Sequence, residues 1–224
     1  DFYKELLVHD LANILSNINS AMQLWEQWKE EPHQSEKKVA MRDIIKQEGK
    51  RGSSLISRVQ RLSELEQGIE AQDSIDVGVI LEKAIKDIPS QFPEKKIVIE
   101  TKYHRRIGRV KGGNLLLDAF ENILRNACIH NDSPTIKIWI SGSVVQENGE
   151  PFVKIEFQDN GIGIAEEKKA TIFKRIPRRR IANVGMGIGL SLVLKIITSY
   201  GGRLRIKDRI EGDPTQGSNF ILWL

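Results

Sequence analysis

The chain has 224 residues, of which 40% are hydrophobic and 29% charged, the composition of an ordinary globular protein with one or two domains. Its formal net charge of +4 is spread along the chain, which favours a normal solvated surface and predicts no nucleic-acid partner. One cysteine excludes an internal disulfide framework, and the lack of an apolar run of about 18 residues predicts no membrane contact by this fragment.

The first predicted element is a long helix over residues 1–31, which contains neither Gly nor Pro. Its apolar residues recur at alternating steps of four and three, the spacing of a heptad seam, and Leu15 and Met22 widen that seam. The seam residues are Leu7, Leu11, Ile14, Ile18, Ala21, Trp25 and Trp28. Because the chain opens within this helix, we expect it to be a fragment of a longer protein.

A second helix is predicted over residues 36–69, after Pro32 breaks the first helix and Ser35 offers a new start. Its seam is less regular, because Glu48 and Gly52 interrupt it. A hairpin of two helices has too little core to be stable alone, whereas two hairpins side by side bury both seams. We therefore predict a homodimer held together by a four-helix bundle, with residues 1–72 as the dimerization domain.

Residues 73–224 have a different pattern, in which short β-like runs alternate with helical segments. The β-like runs cover 96–103, 135–143, 152–158, 203–208 and 219–224, and the helical patterns cover 75–88, 114–130 and 189–200. A hairpin turn is predicted at Asn148–Gly149. Mostly antiparallel strands with interspersed helices predict an α+β two-layer sandwich, with helices on one face of a sheet.

The clearest local motif is Asp159–Gly163, with the sequence Asp-Asn-Gly-Ile-Gly, directly after a predicted strand. Alternating glycines form a tight turn that lets backbone approach a ligand closely. The carboxylate of Asp159 at the start of this turn is placed to accept a hydrogen bond from an amino group. A purely structural turn would explain the same glycines.

A second glycine motif, Gly185–Leu190, opens the last predicted helix. Glycines at a helix N-terminus expose unpaired N–H groups and the positive end of the helix dipole, which favours an anion. A dinucleotide fold would also show a glycine-rich turn, with an acidic residue such as Asp208 further on, and spacing alone does not separate the two. The chain has no Gly-x-x-x-x-Gly-Lys-Ser/Thr phosphate loop.

Asn122 and Asn126 lie four residues apart on a predicted helix, so their carboxamides share one face. Carboxamides are costly on an apolar helix without partners, and aligned ones suit an oxygen-rich ligand such as hydrated Mg²⁺ with phosphates. Two surface asparagines are the alternative. Cys128 on the same helix is predicted to be core filler rather than a nucleophile.

Taken together, these segments resemble the nucleotide-binding boxes of the GHKL ATPase superfamily. This superfamily contains histidine kinases, gyrase-type topoisomerases, mismatch-repair ATPases and a heat-shock chaperone. The match follows the family's order, with Asn122–Ala127 similar to the N box, Asp159–Gly163 to G1, Ile172–Phe173 to F and Gly185–Leu190 to G2. The resemblance covers residues 75–224 and implies a catalytic ATP-binding domain with the GHKL (Bergerat) fold over residues 73–224.

The front helix favours the kinase branch, because His9–Asn13 resembles the H box, His-Glu/Asp-x-x-Asn/Thr, of sensor histidine kinases. The resemblance implies that His9 is phosphorylated from ATP, with Asp10 orienting the ring or taking its proton. It implies transfer of the phosphoryl group to an aspartate of a response regulator receiver domain. Asn13 would align the water that dephosphorylates the regulator. A cytoplasmic location follows from the same resemblance.

The resemblance also implies a set of nucleotide contacts, with ATP and Mg²⁺ as the bound species. Asp159 would bind the adenine amino group, Asn126 would coordinate Mg²⁺, and backbone amides of the glycines would contact the phosphates. The expected nucleotide-binding residues are Asn122, Asn126, Asp159, Gly161, Gly163, Phe173, Arg175, Gly185, Gly187, Gly189 and Leu190.

The chain departs from the family pattern at the phosphate end, where Ile129 stands in place of a Lys that is common in the N box. Arg175 and the arginines at 178–180 can supply the missing charge or form a solvated basic loop. Two other functions stay open. The chain could be a GHKL ATPase or serine kinase that leaves His9 unmodified, or a degenerate dimeric signalling scaffold.

Overall fold

The computed structural model of the chain describes residues 2–28, 35–66, 73–173 and 189–224. The chain divides into two compact units, with the boundary between Ile69 and Glu70. Each unit has its own buried apolar residues. No helix within the described ranges combines the length and the apolar character that crossing a membrane requires.

Unit 1 consists of two helices that pack against each other, α1 (Phe2–Gln27) and α2 (Ser35–Glu66). Ile14 and Ala21 of the predicted seam are buried, at 4% and 3% exposure. On α2, Leu55 and Val59 are buried in the same way. The predicted new start at Ser35 is confirmed, whereas the predicted break at Pro32 lies outside the described residues.

Several apolar side chains of unit 1 are exposed in the single chain. Trp25 belongs to the predicted seam but keeps 40% of its surface exposed, so the seam is not buried within one hairpin at this position. Leu15 and Met22, which widen the seam, are exposed at 58% and 45%, and Ile56 of α2 is exposed at 45%. Two helices alone cannot cover a stripe this wide, which is the physical reason for the difference.

Glu48, which interrupts the seam of α2, is a buried charged residue rather than a surface one. Only 7% of it is exposed, and one oxygen accepts a hydrogen bond from Arg51 Nη1 at 2.6 Å, one turn away on the same helix. The nearby Gly52 is also buried, and a Cβ there would lie 3.6 Å from Ile14 of α1. This is an ordinary van der Waals distance, so the helix contact at Gly52 would also accommodate an alanine.

Unit 2 contains the remaining elements. In chain order these are β1 (Asp73–Asp76), α3 (Val77–Gln91), β2 (Ile97–Lys102), β3 (Arg109–Gly112), α4 (Leu115–Ile129), β4 (Ile136–Glu147), β5 (Glu150–Asp159), α5 (Glu166–Lys169), α6 (Gly189–Ser199), β6 (Arg203–Ile210) and β7 (Asp213–Trp223). Five strands form one sheet in the order β2-β4-β5-β7-β6. The pair β2–β4 is parallel and the other pairs are antiparallel.

The helices α3, α4 and α6 form a layer on one face of this sheet, which confirms the predicted α+β sandwich. Alternate residues of each strand face that layer, and the residues between them face away. Phe120 of α4 and Phe157 of β5 meet across the layers, with ring centroids 5.6 Å apart. Cys128 of α4 is fully buried, and burial raises the pKa of its thiol to about 11, so it is a protonated core residue at neutral pH.

The start of the predicted helix 75–88 is wrong. Ile75 lies in β1, which pairs with β3 as a separate two-stranded sheet. The helix begins at Val77 because the Asp76 carboxylate caps it, accepting hydrogen bonds from the backbone N–H of Gly78 at 2.9 Å and of Val79 at 3.4 Å.

The predicted hairpin turn at Asn148–Gly149 is confirmed as the connection between β4 and β5. Both residues have positive φ, 53° at Asn148 and 84° at Gly149. Asn followed by Gly is the pair that tolerates this conformation best, and such a two-residue turn matches the twist of the strands. The hairpin ends at Asp159, where the first glycine motif begins.

Candidate functional site

Asp159 is the last residue of β5, and its side chain points to the helix layer with 6% exposure. Its Oδ1 accepts hydrogen bonds from the backbone N–H of Gly161 at 2.8 Å and of Ser218 at 3.4 Å. Its Oδ2 accepts none from the described residues. One carboxylate oxygen is thus held by the fold, and the other is left to accept from a ligand.

The environment of Asp159 shifts the pKa of its carboxyl group. Burial raises the pKa of its carboxyl above the ordinary value, and the amides of Gly161 and Ser218 and the charge of Arg209 act in the opposite direction. Keeping this carboxylate ionised therefore lowers the free energy of unfolding. Such a cost is typical of a buried carboxylate that serves a ligand rather than the core.

The glycines after Asp159 are required by close backbone contacts. A Cβ at Gly161 would lie 2.5 Å from the carbonyl oxygen of His130, at the end of α4. Gly163 has φ of 68°, and a Cβ there would overlap the carbonyl oxygen of Pro214 in β7. Ile162 also donates its N–H to the His130 carbonyl at 3.1 Å. The loop therefore lies against both the end of α4 and the start of β7.

Asn160 has a role that its place in the motif did not predict. Its Oδ1 accepts hydrogen bonds from the backbone N–H of Lys137 at 2.7 Å and from Asn131 Nδ2 at 2.9 Å. Its Nδ2 donates to the carbonyl of Thr135 at 3.1 Å. The side chain thus joins the glycine loop to the start of β4 and to the segment between α4 and β4. The one sequence signal for this role is the position of Asn160, between an Asp and a Gly at the end of a strand.

The two asparagines of α4 lie where the last helix begins. Asn122 is 4% exposed, and its Nδ2 donates to the carbonyl of Asp118 at 2.8 Å, which leaves its oxygen free for another partner. Gly189 starts α6, and a Cβ at this position would lie 3.1 Å from Asn122 Oδ1 and 3.9 Å from Asn126 Nδ2. The half-buried Asn126 therefore shares its surroundings with Asn122 and the N-terminus of α6.

The segment that follows the glycine loop is fixed by a charged pair. Lys169 Nζ, in α5, lies 2.7 Å from Asp208 Oδ1 of β6 and 2.5 Å from Glu166 Oε2. The side chains of Lys169 and Asp208 are each almost buried. This contact holds the chain just before Phe173, which is half-buried. Leu190, in α6, is half-buried too. Arg175, Gly185 and Gly187 lie outside the described residues.

The residues that the structure brings together fit an adenine nucleotide. Asp159 presents a carboxylate oxygen that accepts no hydrogen bond from the described residues, Gly161 and Gly163 form the tight loop after it, and α6 begins next to Asn122 and Asn126, where a helix N-terminus favours an anion. No cluster of three or more His, Cys, Asp or Glu side chains in the described ranges could hold a metal alone. Carboxamide oxygens combined with phosphates suit Mg²⁺, which keeps much of its water shell.

The predicted phosphorylation residues belong to unit 1. His9, Asp10 and Asn13 all belong to α1, so helical geometry places Asn13 one turn after His9. The side chain of Asn13 is exposed. The predicted nucleotide residues and the predicted phosphoacceptor thus belong to different units.

Residues 113–224 match the family described as histidine kinase-, DNA gyrase B- and HSP90-like ATPase. The chain is 26% identical to drug sensory protein A of Synechocystis sp., over 90% of this chain and 32% of that protein. It is 27% identical to the sensory histidine kinase/phosphatase NtrB of Azospirillum brasilense, over 88% of this chain and 50% of that protein. The chain therefore spans only a third to a half of the length of these curated relatives.

Among solved structures, the histidine kinase AdeS of Acinetobacter baumannii matches with a TM-score of 0.68 and 19% identity, over 96% of each chain. A mycobacterial sensor histidine kinase, MprB, matches with a TM-score of 0.56 and 19% identity, over 68% of this chain and 96% of that one. At this level of identity these structures establish a shared fold.

Proposed function

Because the chain belongs to the family of histidine kinase-, DNA gyrase B- and HSP90-like ATPases, we propose that it is a protein-histidine kinase that phosphorylates His9 from ATP. The observation that carries this proposal is the buried Asp159, whose Oδ2 accepts no hydrogen bond from the described residues, with Gly189 next to Asn122 in the same unit. Its similarity to a protein named a sensory histidine kinase/phosphatase over 88% of the chain favours this branch of the family.

In the nucleotide site, Asp159 accepts a hydrogen bond from the adenine amino group through Oδ2. Gly161 and Gly163 shape that part of the pocket, and the half-buried Phe173 and Leu190 lie on segments that flank it. Asn126, with Asn122 one turn earlier, would hold Mg²⁺, which would neutralise charge on the phosphates. The other phosphate contacts proposed are the backbone amides of Gly185, Gly187 and Gly189 and the side chain of Arg175.

Phosphoryl transfer requires positioning and charge neutralisation more than covalent help from the protein. An imidazole nitrogen of neutral His9 attacks the γ-phosphorus, the bond to the bridging oxygen breaks, and ADP leaves. Asp10, the next residue, takes the imidazole proton or orients the ring, a role whose usual value is about 10²–10⁴-fold in rate. The product is a phosphohistidine on α1.

The phosphoryl group then passes to an aspartate of a response regulator receiver domain, and the same surface removes it again. NtrB, to which the chain is similar, is named a histidine kinase/phosphatase. Asn13 lies one turn after His9, and a carboxamide at that position can align a water with the phosphoaspartate. The helix α1 would then serve two opposed reactions.

Asn13→Ala is expected to spare autophosphorylation and to slow dephosphorylation of the regulator by about tenfold or more, since the substitution removes the carboxamide that would align the attacking water. The measurement compares label on the kinase with loss of label from a phosphorylated receiver domain. Asn17→Ala, an exposed asparagine one turn further along α1, is the matched control and should change neither rate. A parallel loss of both activities in Asn13→Ala would contradict this division of roles.

We further propose that the hairpin dimerizes into a four-helix bundle, with residues 1–72 as the dimerization and phosphotransfer domain and 73–224 as the catalytic domain. The exposed Leu15, Met22 and Trp25 of α1 and Ile56 of α2 support this, because a second hairpin would cover them. Sedimentation equilibrium that found only monomers would contradict it. We propose a cytoplasmic location for these residues, where ATP and the regulator are present.

The proposal is tested by incubating the chain with γ-labelled ATP and Mg²⁺ and measuring the stability of the label. Phosphohistidine loses its label in acid and keeps it in base, whereas phosphoserine behaves in the opposite way. Acid-labile label supports the histidine kinase. Acid-stable label would support a serine kinase. Release of phosphate from ATP without label on the protein would support an ATPase. Nucleotide binding with neither label nor released phosphate would support a signalling scaffold, the function that Ile129 favours.

A further inference from the structure

The strand β6 forms one free edge of the five-stranded sheet. In the sheet order it lies at the end, and among the described strands it pairs only with β7. A strand in this position presents a row of unpaired backbone N–H and C=O groups, on which an extended segment of another chain can add as a further strand. The regular pairing runs from Arg203 to Asp208 and then shifts at a bulge, so the free edge is short.

The side chains of β6 that face away from the helix layer are all cationic. Arg203, Arg205 and Lys207 alternate with Leu204 and Ile206, and all three cations are exposed. Successive cations on one face of a strand lie about 6.6–6.8 Å apart, which is the repeat of any strand placed beside them. An added strand with acidic residues at every second position would therefore place a carboxylate opposite each cation.

Two of these cations are already ordered on an aromatic ring. The guanidinium groups of Arg203 and Arg205 lie over Trp223 of β7, 5.9 and 6.0 Å from the ring centroid. Arg side chains held in this way lose less freedom when they bind a partner. Arg203 also donates to the carboxylate of Glu147 at 2.7 Å, which is an example within the chain of the contact expected from an acidic partner.

Unlike Arg203, the cations Arg205 and Lys207 have no acidic partner within the described ranges. Neither Arg205 nor Lys207 forms a salt bridge with any residue in the described ranges. The opposite edge of the sheet differs, because the outward face of β2 carries Val98, Glu100 and Lys102, with no net charge. If the cations only prevented edge-to-edge aggregation, both free edges would need them equally. The concentration of one charge sign on β6 therefore points to recognition.

We propose that β6 is a docking edge for an extended acidic segment of a protein partner, with acidic residues at alternate positions. Backbone hydrogen bonds along the edge give the affinity, and the row of cations selects the charge pattern and its register. The bulge after Asp208 limits the paired stretch to Arg203–Asp208. This surface does not include the residues assigned to nucleotide binding or to phosphoryl transfer.

The test uses the whole chain and two labelled ten-residue peptides of the same composition, measured by fluorescence anisotropy. One peptide alternates Glu with Thr, and the other groups its glutamates in one block. The alternating peptide is expected to bind about tenfold more tightly, with weaker binding at higher salt. Its binding should also slow hydrogen exchange at backbone amides of β6.

Arg205→Gln/Lys207→Gln is expected to weaken binding of the alternating peptide by about tenfold. The matched control, Lys83→Gln/Lys86→Gln, removes the same charge from exposed positions of α3 and should change the affinity by less than about twofold. The proposal is overturned if the alternating peptide does not bind below about millimolar concentration. It is also overturned if the grouped peptide, single-stranded DNA or an anionic vesicle binds equally well, because binding then depends on net charge and not on an extended strand with alternating acidic residues.

Discussion

His9→Gln is expected to reduce incorporation of phosphate from γ-labelled ATP by more than about a thousandfold, to the background of the assay. The substitution keeps a polar side chain of similar size on α1 but removes the nucleophilic nitrogen that the proposed reaction requires. Because the nucleotide site belongs to unit 2, binding of an ATP analogue should stay unchanged. The measurements are acid-labile label on the protein and the dissociation constant of the analogue.

The matched control is His104→Gln. His104 lies in the exposed loop between β2 and β3, where its ring accepts a hydrogen bond from the N–H of Arg106 at 3.2 Å. This variant should be labelled like the unmodified chain. Retention of label in His9→Gln would show that another residue is the phosphoacceptor, and loss of label in both variants would point to damage to the fold.

Asp159→Asn is expected to weaken ATP binding by at least about tenfold, with a parallel loss of label on His9. The asparagine oxygen can still accept from the amides of Gly161 and Ser218, so the loop should keep its shape. In place of Oδ2, however, the variant presents an N–H₂ group to the adenine amino group. Two donors then face each other, and the hydrogen bond is lost.

The same variant has an expected effect on stability, whose sign follows from the pKa of Asp159. Burial raises the pKa of Asp159 in the folded chain above its value in the unfolded chain. Protonation of Asp159 therefore stabilises the folded chain fully at pH values below the unfolded pKa, and this stabilisation is lost as the pH rises through the folded pKa. At neutral pH the buried carboxylate is therefore a cost. A neutral asparagine removes that cost, and the nucleotide-free variant should melt at an equal or higher temperature.

Calorimetric titration with ATP and thermal melting between about pH 5 and 8 measure the two effects. Asp87→Asn, at an exposed position of α3, makes the same charge change and should alter neither ATP binding nor melting. Normal ATP binding by Asp159→Asn would remove Asp159 as the adenine contact. A clear fall in melting temperature would mean that the carboxylate is needed by the fold itself.

The elements that were predictable from the sequence are those whose signal lies within a few residues. The turn at Asn148–Gly149 is fixed by local backbone preference, and the core strands and helices follow from apolar periodicity. The strands β1 and β3 were not found, because four residues are too few to show a period. The parallel pairing of β2 with β4 joins distant segments, and no local pattern encodes it.

In the candidate site, too, local features were predictable from the sequence and contacts between distant residues were not. The glycine motif and the asparagine pair were identified because the spacing of each motif is local, and the structure places Gly189 beside Asn122. The hydrogen bonds of Asn160 to Lys137 and Thr135 were not predictable, since they join residues more than twenty positions apart. The contact of Lys169 with Asp208 was missed for the same reason, although each residue alone looks like a surface charge.

The hairpin of β4 and β5 has a consequence for the order in which unit 2 folds. A two-residue turn closes this hairpin, so it can form on a timescale of about microseconds from local contacts alone. The hydrogen bond from Ser218 to Asp159, by contrast, spans 59 residues and waits for β7 to reach the sheet. We therefore expect the proposed adenine pocket to form late in folding, after most of the sheet that supports it.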